Sequence, residues 1–322
     1  MPDKTLKCAI IGAGNMGQNH IRAYLNTPSV KIVAACDVNQ NILNKIRSSY
    51  NFKCYPDYKK MVAAEKPDIV SICVPTNYHA ETAIYFLDNG INVLLEKPIA
   101  TDLNQANAIL NAAIKNKKKL LIGHIERFNP AVRKLKNMID HRDLGKITAI
   151  IARRVGGFPP QIKDANIAVD LAIHDIDIIN YLLGSLPSNI SVNKQRHHIK
   201  QREDSVEFFL KYNKSSAYIQ ANWITPVKIR KLTITGTEGY LEMDYINQQI
   251  DFYKSNYEKF KEDVGGFSDY ILRFSEPDKI NISVAKKEPL MEELSYFVKC
   301  VQEDIEIDCQ PAIEALKIAL TN

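Results

Sequence analysis

The sequence predicts two folds in series. Residues 1–123 read as an α/β domain, a doubly wound parallel sheet; residues 124–322 read as an α+β domain with a large open, mostly antiparallel sheet. Three observations predict this. Up to about residue 124, short apolar runs alternate with amphipathic helical patterns, as a parallel sheet covered on both faces requires. From 188 to 254, strand-like runs succeed one another with little helix between them. The turn "GAGNMG" follows the first apolar run directly and opens a helix.

Taken in order, the apolar runs of the first part are "LKCAIIGA", "VKIVAACD", "DIVSICVP", "INVLLEKP" and "KLLIGHI". Helical spacing near 15–27, 39–48, 57–65, 78–89 and 102–116 supplies the crossovers. One more helix is expected near 130–140, and another, strongly apolar, around "DLAIHDID" at 170–177. The strands that follow are "SNISVNKQ", "SVEFFLKY", "SSAYIQAN", "IRKLTITG", "GYLEMDY" and "QIDFYK". A loop-rich stretch is expected near 255–287, with a closing helix or two from 289. There is no internal repeat and no low-complexity tract.

With 322 residues, the chain suffices for about two domains and a substantial core. Charges interrupt every apolar stretch well before the ~18 residues that span a bilayer. The start "MPDKTLKCAIIGAG" lacks a signal-peptide core, so a cytoplasmic protein is expected. Cys8, Cys36, Cys54, Cys73, Cys300 and Cys309 form no C-x-x-C pair and read as reduced thiols. The net charge of +5 is mildly basic. "KNKKK" (115–119) and "RHHIKQR" (196–202) read as solvated surface, because neither carries interleaved aromatics or a nucleic-acid motif. Neither nucleic acid nor membrane is expected as a partner.

Gly12, Gly14 and Gly17 have G-x-G-x-x-G spacing between strand and helix, with Asn15 and Met16 at the helix start. That context is the dinucleotide site of a Rossmann domain: a tight turn, a backbone that a pyrophosphate can approach, and a helix N-terminus that favours the anion. Asp37 ends the second run, twenty positions after Gly17, where a carboxylate accepts from the adenine-side ribose hydroxyls and repels a 2′-phosphate. Val38, Asn39 and Gln40 add no cation, so the expected cofactor is NAD rather than NADP. A second role for Asp37, as helix N-cap, is compatible. At later strand ends, Pro75, Thr76 and Asn77, with His79 nearby, are expected to border the dinucleotide, as are Glu96 and Lys97 of "LLEKPIA". His79 equally fits a plain first-turn helix residue.

At 3.6 residues per turn Asp170, His174 and Asp177 form one polar stripe on an apolar helix. Charges on a buried face are costly unless paired or used. The residues alone leave three readings: a metal site, a satisfied structural network or a proton-handling site. Asp175 points off the stripe and is expected to be exposed or paired.

In order, G-x-G-x-x-G, the aspartate after the second strand, E-K-P at 96–98 and D-x-x-x-H at 170–174 resemble the glucose-fructose oxidoreductase, inositol dehydrogenase and rhizopine catabolism (Gfo/Idh/MocA) family of sugar dehydrogenases. The resemblance spans essentially the whole chain. It implies an NAD-dependent oxidoreductase acting on a CH–OH group, with a substrate-anchoring, proton-relaying Lys97 that often precedes a cis proline. It also implies that Asp170 and His174 are the motif's aspartate and histidine, Ala172 standing where many members have glycine. On that reading His174 is the general base, Asp170 orients it and Lys97 stabilises developing alkoxide charge. No metal is expected.

Within the family, "GHIERFNPAV", "ARRVGGFPPQIKDANIAVDLAIHDIDIINYL" and "ANWITPVKIRKLTITGTEG" are similar to the branch that oxidises the 3-hydroxyl of UDP-N-acetylglucosamine, whose keto product an aminotransferase then converts to an amine. The chain departs from that branch at Gly157, Gln161 and Lys163. A UDP-sugar needs cations for its diphosphate and planar groups for its uracil. Arg127, Asn129, Arg154, Lys163, Lys228 and Arg230 are candidates for polar contacts and Phe158 and Trp223 for stacking; each also fits a surface or packing role. The alternatives are a free-sugar or inositol dehydrogenase, an NAD-dependent glycosidase and a non-enzymatic dinucleotide sensor. The apolar pattern of the open sheet suggests a homodimer or homotetramer.

Overall fold

The computed structural model describes residues 5–158, 166–261, 270–274 and 277–322. Its elements in chain order are β1 (Leu6–Ile11), α1 (Asn15–Leu25), β2 (Val30–Cys36), α2 (Gln40–Ser49), β3 (Lys53–Tyr55), α3 (Tyr58–Glu65), β4 (Ile69–Ile72), α4 (His79–Asp88), β5 (Asn92–Glu96), α5 (Leu103–Asn116), β6 (Leu120–Gly123) and α6 (Pro130–Asp140). Then come β7 (Ile147–Val155), a π-turn (Ala168–Ala172), α7 (Ile173–Leu183), β8 (Asn189–Gln195), β9 (Ser205–Lys211), β10 (Ser216–Asn222), β11 (Ile229–Gly236), β12 (Gly239–Asp244), β13 (Gln249–Lys254), β14 (Tyr257–Lys261), β15 (Tyr270–Phe274), β16 (Lys279–Ile282), α8 (Pro289–Gln302) and α9 (Gln310–Ala319). No helix among the described residues is long and apolar enough to cross a membrane. All six cysteines are free thiols.

The chain packs as two units. One comprises the described residues of 1–128, 159–177 and 287–321, the other those of 129–158 and 178–286 with residue 322. The division at 123/124 read from the sequence follows chain order, whereas this packing returns two later segments to the first unit.

The first unit holds a six-stranded parallel sheet in the order β3-β2-β1-β4-β5-β6. Its strands read as unbroken apolar runs because helices cover both faces, and β4 and β6 are buried at every residue. The order reverses direction beside β1, between β1 and β4, which is where the doubly wound architecture opens its ligand crevice. Helix α8, from the far end of the chain, joins the same core: Leu290, Leu294, Phe297 and Val298 pack with Cys8, Ile10, Ile21 and Tyr24.

The second unit holds an eight-stranded sheet in the order β16-β13-β12-β11-β7-β10-β9-β8. Every neighbouring pair is antiparallel except β7 with β10. Three corrections to the sequence reading belong here. The strand runs read from the sequence omit β7, although it sits in the middle of the sheet, and omit the three-residue β3. The stretch expected to be loop-rich, 255–287, holds β14, β15 and β16.

Candidate active site

The glycine turn is shaped by contact with the neighbouring strands. Gly12 has φ +83°, and a Cβ there would lie 2.7 Å from the Cys73 carbonyl oxygen. A Cβ on Gly17 would lie 2.0 Å from the Gly12 carbonyl oxygen, so α1 packs against the turn only because that position lacks a side chain. Gly14 has open space where a Cβ would stand, and it lines a cleft of about 1170 Å³. Asn15 and Met16, at the start of α1, line the same cleft. This is the cradle a pyrophosphate needs, with backbone N–H groups at a helix N-terminus.

Asp37 also lines the cleft. The backbone N–H of Ala13 donates to one of its carboxylate oxygens at 2.8 Å, and that of Asn39 donates to the other at 2.8 Å. These bonds lock the carboxylate beside the glycine turn with lone pairs left for ribose hydroxyls. The N-cap of α2 is Asn39, which accepts from the Asn41 N–H, so Asp37 is not the cap.

Of the residues expected at later strand ends, Pro75, Thr76, His79, Glu96 and Lys97 line the cleft. Gly17 and Asn77 are not among the lining residues; Gly17 is buried under the turn and Asn77 is exposed. His79 begins α4, and it is 1% exposed with its ring nitrogens 2.8 Å from the Pro98 carbonyl and 3.0 Å from the Val74 carbonyl. Burial lowers its pKa, against the pull of those carbonyls. The ring thereby ties the exit of β4 to the exit of β5. Cleft residues that sequence reasoning missed include Asn19, Tyr58, Tyr78 and Ile125. Their only sequence signal is proximity to a strand end or to the glycine turn.

Lys97 follows β5, and the Lys97–Pro98 bond is cis. Its ammonium donates to the Asp170 backbone carbonyl at 2.8 Å and to the Asp170 carboxylate at 3.0 Å. Asp170 is 8% exposed and sits in the π-turn, and His174 follows in the first turn of α7. Lys97, Asp170 and His174 all line the cleft that holds the glycine turn.

The expected polar stripe is thus corrected. The i→i+5 winding of a π-turn carries an extra residue, so the 3.6 period does not hold across Asp170. Asp177 takes a different partner: Arg127 donates to both its carboxylate oxygens at 2.7 Å, with His124 Nδ1 3.6 Å away. Burial lowers the His124 pKa against the pull of Asp177. Asp175 is fully buried, which removes the exposed reading and leaves the paired one. No group of three or more metal-ligating side chains occurs among the described residues.

The residues expected to hold a sugar nucleotide divide between the units. Arg127 belongs to the first and is committed to Asp177. The others that are described belong to the second. Asn129 is 1% exposed; it caps α6 by accepting from the Ala131 N–H and donates to the Tyr245 carbonyl at 3.1 Å. Arg154 is 4% exposed, with its guanidinium 4.7 Å from the centre of the Tyr245 ring. Arg230 donates to the carbonyls of Val155 and Ile229. Phe158 is 43% exposed and meets buried Trp223 edge-on, with the Arg202 guanidinium over both rings. Lys228 is exposed. Lys163 lies outside the described residues.

The glycine cradle, the Asp37 carboxylate and the lysine–aspartate pair on one cleft agree with the comparisons with known proteins. A family model described as "Oxidoreductase family, NAD-binding Rossmann fold" matches residues 6–124, and the GFO/IDH/MocA C-terminal domain matches residues 132–242. This chain belongs to the GFO/IDH/MocA family. It is an NAD-binding oxidoreductase. Similar to it is the UDP-N-acetylglucosamine 3-dehydrogenase of Acidithiobacillus ferrooxidans, 24% identical over 248 residues that make up 77% of each chain. A solved structure of that enzyme superposes with a TM-score of 0.83 at 22% identity, covering 98% of this chain and 95% of the other, a likeness of fold. The D-glucoside 3-dehydrogenase of Escherichia coli is 31% identical over 60% of this chain and 58% of its own length. The inositol 2-dehydrogenase of Salmonella typhimurium is 30% identical over 56% of this chain and 55% of its own length.

Proposed function

We propose that this GFO/IDH/MocA oxidoreductase is a sugar dehydrogenase that oxidises the 3-hydroxyl of UDP-N-acetylglucosamine to a ketone, for later conversion to an amine by an aminotransferase. The single observation that carries a dehydrogenase reading is the Lys97–Asp170 ion pair on the same cleft as the glycine turn, Asp37 and His174. Bound NAD supplies the hydride acceptor. The chain's own residues handle the proton: His174 takes it from the hydroxyl, because imidazole titrates near working pH. Lys97, held by Asp170, steers the hydroxyl and stabilises charge developing on its oxygen.

The nucleotide-sugar assignment is supported by the "RRVGGFPPQIKD" and "TPVKIRK" segments and by the similarity to the Acidithiobacillus enzyme across 77% of the chain. A second reading, oxidation of a free polyol or simple glycoside, is supported by the relatives at 30% and 31% identity. UDP-N-acetylglucosamine deuterated at C3 separates the two. Deuterium is expected on the nicotinamide C4 of the reduced cofactor, with an aminotransferase and amino donor present to draw the ketone off. Retention of label on the sugar, with brisk oxidation of glucose, a glucoside or inositol, moves the assignment to the second reading. No reduction with any of these, despite tight NAD binding, favours a dinucleotide sensor.

Self-association belongs to the same proposal. Phe209, Tyr218 and Ile151 are 49%, 38% and 51% exposed. They lie side by side across β9, β10 and β7, because Tyr218 is in register with both of the others. Such an apolar row on an open sheet face favours burial against a second copy.

A further inference from the structure

Glu293, on α8, is fully buried, and both of its carboxylate oxygens lack a hydrogen-bond partner. A carboxyl group buried without partners is costly, and a leucine would fill the space without that cost. Its surroundings distinguish it from an ordinary packing residue. Glu96 is the charged neighbour that acts on it, and Glu96 lines the cofactor cleft immediately before Lys97. One Glu96 oxygen lies 2.9 Å from Nε2 of the buried His20, and the other accepts from the Lys97 backbone N–H at 3.3 Å. The Glu96 carboxyl also rests against Gly123, where a Cβ would approach it to 3.2 Å. Glu96 and Glu293 are the only buried glutamates among the described residues.

We infer that the unpartnered Glu293 carboxyl, buried behind the cleft-lining Glu96, acts with it as a carboxyl pair that carries a proton, and that this pair releases part of its proton when the oxidised, positively charged nicotinamide is bound. Two neighbouring carboxyl groups in a buried site do not both ionise readily. Burial and the Glu96 charge both hold the Glu293 carboxyl far above the usual carboxylate range. A positive charge arriving above Glu96 favours the ionised pair, and the displaced proton goes to solvent. With the reduced, neutral cofactor the pair keeps its proton. Glu293 is thus a positioning residue that acts through Glu96, and hydride transfer leaves a proton acceptor at the floor of the site just as oxidation of the alcohol yields a proton.

The other titratable groups around the pair do not supply this response. Burial raises the Cys8 thiol on β1, the Cys73 thiol after β4 and the Tyr24 phenol on α1, which therefore stay protonated. The His124 ring after β6 is held neutral chiefly by its burial. His20 is bonded to Glu96, Lys97 to Asp170, and Arg127, ahead of α6, to Asp177. The experiment measures proton release on binding NAD+, NADH and ADP-ribose to the whole enzyme at pH 7.5, by calorimetry in buffers of different ionisation enthalpy. Wild type is expected to release protons with NAD+ only, and Glu293→Gln to bind all three ligands with that release reduced several-fold. Undiminished release in Glu293→Gln overturns the proposal, as does equal release with ADP-ribose, which lacks the nicotinamide. Should the variant not fold, infrared spectra of wild type carrying ¹³C-labelled glutamate decide. A protonated glutamate carbonyl band that weakens with NAD+ but not with NADH supports the pair, and a band absent or indifferent to NAD+ overturns it.

Discussion

Lys97 owes its position to two bonds with Asp170, a residue 73 positions away in sequence, so its side chain is held by the fold rather than by its own strand. Lys97→Met and His174→Ala are each expected to lower kcat by 10²- to 10⁴-fold, about 3–5 kcal/mol of barrier, while NAD still binds. Steady-state kinetics beside a cofactor titration check this, and full turnover in both variants would reassign the pair to structure. At the other end of the cleft, Asp37→Ala is expected to narrow the preference for NAD over NADP, measured as the ratio of kcat/KM values. It should also weaken NAD itself, because Asp37 braces the glycine turn through Ala13. The glycines and Asp37 were legible from spacing, and the lysine from its place at a strand end together with the resemblance to the family. The partners of Asp170 and Asp177 were not, since sequence spacing says nothing about which distant side chain closes on a helix.

Helix boundaries followed local chemistry closely. The Asn129–Pro130 pair is a strong start signal, an N-cap followed by a proline at the first helical position, and it could have been read that way from the sequence. The resemblance drew attention to Asn129 as a sugar contact, whereas its side chain bonds to Ala131 and Tyr245. Asn129→Ala is therefore expected to cost about 1–3 kcal/mol of stability, read by denaturant unfolding, and to leave KM within a few-fold of wild type. A large KM change at unchanged stability would restore the binding role. The π-turn at Ala168–Ala172 escaped detection because reading a polar stripe assumes a constant 3.6-residue period. Strand β7 was missed because its residue types do not follow its alternating burial, with Ile151 exposed and Arg154 buried, and its place among other strands comes only from pairing.

At the scale of the molecule, the second unit presents a row of exposed apolar side chains, Phe209, Tyr218 and Ile151, in register across three strands. Ile151→Lys combined with Tyr218→Lys is expected to shift the protein to a smaller assembly in light scattering after size exclusion, without unfolding it. An unchanged mass would place self-association elsewhere or deny it. The assignment of chain to packing unit is also a property of the whole. The described residues 166–177 and 287–321 pack with the first unit although they follow part or much of the second in sequence, and they bring Asp170, His174 and Glu293 to the cofactor side.

The sequence by itself determined the two sheet types and the dinucleotide turn, because each rests on local periodicity, a backbone constraint or a short motif, and its resemblance to the family singled out Lys97, Asp170 and His174. The tertiary structure alone decided that Asp170 closes on Lys97 while Asp177 closes on Arg127. It also decided that Asp175 is buried, and that a glutamate near the end of the chain comes to lie unpartnered behind Glu96. The physical reason is the same in each case. Burial and ion pairing depend on which elements pack together, and packing joins residues whose separation along the chain carries no trace of their contact.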